Sequence, residues 1–84
     1  MKSASSLRTF AGAVAIVTGG ASGIGRALGE ALARRGAWVV LADRQVHLAQ
    51  EVATRIREGG GRATAEDLDV TDFSAMNQLV QNTF

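Results

Sequence analysis

Apolar residues follow two alternating rhythms along this chain: short unbroken runs, and longer stretches with helical spacing. Ala13–Val17 is a continuous apolar run, as in a strand covered on both faces. Ile24, Ala27, Leu28, Ala31 and Leu32 then fall at i, i+3, i+4, i+7 and i+8, which predicts one face of a helix. Arg34 and Arg35 suit the negative end of its dipole, and Gly36 is placed to stop it in the left-handed conformation. Val39–Ala42 predicts a second buried strand. A second helix follows with Ala49, Val52, Ala53 and Ile56 inward, ending at Gly59-Gly60-Gly61. Arg62–Val70 predicts a third, weaker strand. Thr71 or Asp72 then caps a third helix with Phe73, Met76 and Val80 inward. This β-α-β-α-β-α order is α/β and implies a parallel sheet with right-handed crossovers. The helices of the two crossovers should share one face, the third helix should lie on the other, and strand one should be an unpaired apolar edge.

Composition narrows the function more by exclusion than by suggestion. The 84 residues are 46% hydrophobic and 20% charged, which fits a soluble chain of one domain at most. Nine basic and eight acidic residues leave a net charge of +1, which offers no electrostatic case for nucleic acid or an anionic membrane. The absence of cysteine excludes disulfides and thiolate metal sites; His47 alone builds no metal site and reads as solvated. No apolar stretch reaches the ~18–20 residues of a membrane span. Lys2 and Arg8 ahead of Phe10–Val17 superficially imitate a secretory leader. Cleavage there would remove the first strand, so residues 1–12 are read as tail and lead-in and 13–84 as part of one domain. The expected location is the cytoplasm, with a mitochondrial presequence as the alternative.

The chemistry lies between the first strand and the first helix. Gly19, Gly23 and Gly25 occupy that junction. A turn this tight needs positive φ, a pyrophosphate needs close backbone approach, and the helix must pack on the strand without intervening Cβ atoms. Exposed N–H groups and the helix dipole then favour a phosphate at the new helix's first turn. Asp43 ends the second strand, eighteen residues after Gly25, near the spacing for an acid that accepts from an adenosine ribose. Its alternative role is to cap the second helix.

Thr18-Gly-Gly-Ala-Ser-Gly-Ile-Gly25 resembles the T-G-x-x-x-G-x-G loop of the short-chain dehydrogenase/reductase family, and the resemblance runs from Phe10 to about Phe84. It implies the N-terminal portion of a Rossmann-type, doubly wound parallel sheet. It also implies that Gly19, Ser22, Gly23, Ile24 and Gly25 hold the pyrophosphate and nearby ribose. Asp69-Val70 resembles the family's D-V pair, whose side chain and next N–H read the adenine edge; a plain turn is the other reading of Asp69. Arg44 complicates the choice of cofactor, because a base there can neutralise a 2′-phosphate. Ser22 is neutral where NADP-dependent members often carry a second base, and Asp43 would repel the phosphate, so NAD is expected over NADP.

The family's catalytic Tyr-x-x-x-Lys pair, its substrate-orienting Ser and its Asn-Ala-Gly segment have no counterpart here. The chain has no tyrosine, its one lysine is Lys2, and Asn77 and Asn82 match no Asn-Ala-Gly. No general acid for a carbonyl oxygen is therefore at hand. The expectation is the cofactor half of a dehydrogenase acting on an alcohol or carbonyl, homo-oligomeric when full length. A stand-alone nucleotide-binding or interaction module is the alternative. An NTPase loop fails at Arg26 and Ala27, where it needs Lys and Ser or Thr. A methyltransferase cofactor has no pyrophosphate and suits three glycines less well.

Overall fold

The computed structural model describes residues 12–69 and 71–83. Its elements run β1 (Val14–Thr18), α1 (Gly23–Arg34), β2 (Trp38–Asp43), α2 (Val46–Glu58), β3 (Arg62–Asp67) and α3 (Phe73–Thr83). The strands form one parallel sheet in the order β1-β2-β3. This is an α/β, Rossmann-like architecture, as the alternating rhythm predicts.

The central strand is the most deeply set. Val39, Val40, Leu41 and Ala42 are all buried, and Val39 and Leu41 are the largest fully buried side chains. Val39 and Leu41 meet Ala49, Val52, Ala53 and Ile56 of α2 together with Val17 and Ala63, and Leu32 and Ala33 of α1 pack on the edge of the cluster. Both crossover helices thus cover one face. Every residue placed on the inner face of α2 by its spacing is buried. Gly36, at φ +97°, turns the chain out of α1 as expected.

Four expectations need correcting. β1 is the expected edge strand, pairing among the described residues with β2 alone, but it is not covered on both faces: Val14, Ala15 and Ile16 are only half-buried. The row Ile24, Ala27, Leu28 does not face the sheet. Ile24 is 87% exposed, and the buried residues of α1 are Gly25 and Gly29. The reason is proximity. A Cβ on Gly29 would stand 2.8 Å from Leu41 Cδ2, so the first turns of the helix meet the sheet along glycines and leave Ile24 and Leu28 outward. Asp72 does cap α3, accepting from Ala75 N–H at 3.0 Å, yet Phe73 is 80% exposed and α3 buries none of its residues. β3 ends at Asp67, short of the expected Val70, although Leu68 is buried and still donates to Asp43 O at 3.2 Å.

A half-buried edge strand and outward apolar rows on α1 and α3 favour association. The 84-residue chain alone is expected to self-associate and to melt broadly, as read by sedimentation and circular dichroism. A monodisperse monomer with one sharp transition would contradict this.

Candidate cofactor-binding site

The register pairs Thr18 with Ala42 and Asp43 with Asp67, so the three strands end along one margin of the sheet. The candidate residues lie in the loops beyond it, where open parallel sheets bind ligands.

The glycine loop is held by the end of β2. Gly19 turns at φ +69°, a conformation that favours glycine, and donates to Ala42 O at 2.8 Å. Gly20 N–H leans on the same carbonyl at 3.4 Å. Ser22 is the N-cap of α1: its Oγ donates to Gly19 O at 2.7 Å and accepts from Gly25 N–H at 3.2 Å. A Cβ on Gly25 would collide with the Gly19 carbonyl, whereas one on Gly23 would meet only open space. The two glycines therefore serve different ends, one for packing and one for access. Among the described residues no acceptor faces the N–H of Gly23 or Ile24. These two donors stand free at the positive end of the α1 dipole, suited to an anion. The Ile24 side chain itself is exposed.

Asp43 is half-buried, and both of its oxygens are engaged. Oδ2 accepts from Ala21 N–H at 3.0 Å, and Oδ1 from Gln45 N–H at 2.9 Å. It does not cap α2, whose N-cap is Gln45 without a side-chain bond. Arg44 reaches across to Asp69, Nη1 to Oδ2 at 3.8 Å, with both groups well exposed. Asp69 also accepts from the hydroxyl and N–H of Thr71, at 2.7 and 2.9 Å. These bonds hold its carboxyl below the ordinary value against the opposing effect of burial, and Arg44 adds the smallest push. Both the adenine reading and the turn reading of Asp69 are compatible with this loop. Val70 lies outside the described residues.

Two participants escaped the sequence reading. Gly20 is buried, and a Cβ there would stand 2.8 Å from Leu41 Cβ, so it too is required for packing. Its signal was its place beside Gly19. Ala21 contributes only its N–H, which no side-chain pattern reveals. Elsewhere, a groove of about 440 Å³ lies between the C-terminal ends of α1 and α2, lined by Glu30, Arg34, Arg55 and Gly59–Gly61. It sits at the opposite margin of the sheet, where carbonyl-rich helix ends disfavour an anion. No helix among the described residues is long and apolar enough to cross a membrane.

Residues 13–84 match the short chain dehydrogenase family. The chain belongs to that family. This short-chain dehydrogenase segment is 44% identical over 71 residues to a 2,5-dichloro-2,5-cyclohexadiene-1,4-diol dehydrogenase of Sphingobium indicum, covering 84% of the chain and 28% of the relative. Its fold superposes with TM-score 0.89 on a 7α-hydroxysteroid dehydrogenase solved with NADH and 7-oxo glycochenodeoxycholic acid. The two are 32% identical, over 99% of this chain and 32% of that one. A Beutenbergia cavernae protein solved with NADP at low occupancy gives TM-score 0.73 at 42% identity, over 82% of this chain and 27% of the other. The chain thus spans about a third or less of the length of these relatives.

For this short-chain dehydrogenase segment, the bonds around Asp69 predict an order of effects. Thr71→Ala should raise the Asp69 carboxyl toward its ordinary value, and Arg44→Ala should raise it less, both followed by carboxyl NMR titration. The sign for stability follows. A lowered folded-state value favours the fold above the unfolded pKa of about 3.9, and that contribution is lost as pH falls through the folded value. A larger effect from Arg44→Ala would show the ion pair to dominate instead.

Proposed function

We propose that this segment is the cofactor-binding part of an NAD-dependent oxidoreductase that moves hydride between a nicotinamide cofactor and an alcohol or carbonyl. The observation that carries the proposal is the pair of free N–H groups on Gly23 and Ile24, beside a glycine with open space above it. A pyrophosphate fits that cradle, and the bound dinucleotide supplies the hydride acceptor or donor. The residues of this chain bind and orient: Gly23 and Ile24 through N–H, and Gly19, Ser22 and Gly25 by shaping the loop. By the family resemblance, Asp43 is assigned to the ribose hydroxyls and the Asp69-Val70 pair to the adenine edge.

Proton transfer falls to residues outside this segment, which has no tyrosine and whose one lysine is Lys2. The short share of the relatives' length supports the same division. Reading the gene downstream should reveal Asn-Ala-Gly and, further on, Tyr-x-x-x-Lys. An in-frame stop after Phe84 in every transcript would favour a stand-alone nucleotide-binding module.

Charge supports NAD over NADP. A 2′-phosphate near Asp43 would meet like charge, costing on the order of 1–4 kcal/mol at 4 Å. Arg44, the base that could offset this, is turned toward Asp69, and Ser22 is neutral. In the full-length enzyme, kcat/KM for NAD should exceed that for NADP by roughly tenfold or more. Asp43→Ala should narrow that ratio, and Arg44→Ala should lower whatever NADP activity exists. A wild type that prefers NADP would refute the assignment.

A further inference from the structure

The end of β2 offers acceptors to three consecutive donors of the glycine loop. Ala42 O takes Gly19 and Gly20 N–H, and Asp43 Oδ2 takes Ala21 N–H across 22 positions of sequence. The other Asp43 oxygen holds Gln45 N–H at the entrance to α2. We infer that Asp43 is a positioning residue for the phosphate loop: its carboxylate clasps the Ala21 backbone, and this holds the free N–H groups of Gly23 and Ile24 where a pyrophosphate meets them. The inference rests on the cofactor reading above and gives Asp43 a task beyond the ribose.

Two N–H donors converge on one side chain, so the position needs two acceptors. A carboxylate has about four lone-pair sites, and after these two bonds each oxygen retains one for a ribose hydroxyl. Clasp and ribose contact can therefore coexist. An asparagine offers one acceptor and would set its own NH₂ against the second donor. Alanine offers none.

The two roles are separable by sign. 2′,3′-Dideoxyadenosine diphosphate keeps the pyrophosphate and lacks the ribose hydroxyls. If Asp43 reads only the ribose, Asp43→Ala removes a negative charge near an anion and leaves this ligand bound as well or better. If Asp43 clasps the loop, the same change weakens it.

The test is the affinity of the full-length enzyme for NAD and for the dideoxy ligand, in wild type, Asp43→Ala and Asp43→Asn. Loss of a bond to a charged acceptor should weaken the dideoxy ligand about tenfold in Asp43→Ala, with Asp43→Asn between it and wild type. Unchanged or tighter binding in Asp43→Ala overturns the clasp. Amide hydrogen exchange supplies a second measurement that needs no variant: in the wild type, Ala21 should exchange more slowly than Gly23 and Ile24. Equal exchange also overturns the clasp, even where Asp43→Ala fails to fold. A wild type that binds neither ligand refutes the cofactor reading, and the exchange pattern still decides the clasp.

Discussion

The first turn of α1 lies so close to the loop before it that a methyl group on Gly25 would take the place of the Gly19 carbonyl. One turn on, a methyl on Gly29 would press into Leu41, the most enclosed side chain of the sheet. Helix and loop therefore meet backbone to backbone, and the helix meets the central strand through a glycine seated on the Leu41 side chain. This contact aims the helix start at the ends of the strands, where its dipole and unbonded N–H groups lie open. It also decides what the helix cannot bury. With glycines inward, Ile24 and Leu28 are left outside.

Around that contact, the loop spends its donors selectively. Gly19, Gly20, Ala21, Ser22 and Gly25 all donate within the protein, to Ala42, Asp43, Gly19 and Ser22. Only Gly23 and Ile24 among the loop's described residues keep their N–H groups for something else. Two unbonded donors at a helix start, in a loop whose other donors are satisfied, suit an anion without any charged side chain. Asp43 faces the loop, and Arg44 is drawn to Asp69 across the mouth between β2 and β3.

A Rossmann-like sheet carries many chemistries, and the fold alone names none of them. The family match covers residues 13–84. The match extends over a small share of each relative.

The order of strands and helices was legible in the sequence because unbroken apolar runs and helical spacings are local properties, and because the helices carry their own stop signals at Gly36 and Gly59–Gly61. The inner face of α2 was equally legible, since it is built from side chains that spacing can count. The glycine loop announced itself through residues whose lack of a Cβ is itself the signal. The inner face of α1 was not legible: its closest contacts are made by Gly25 and Gly29, and a hydrophobic pattern gives weight only to side chains. The exposure of Phe73 and the half-burial of β1 were hidden for another reason, since burial depends on which neighbours an element has and not on its own residues. The bond between Asp43 and Ala21 joins positions 22 apart through a backbone N–H that every residue except proline carries. Only the fold, by ending β2 beside the loop, could decide which N–H that carboxylate would meet.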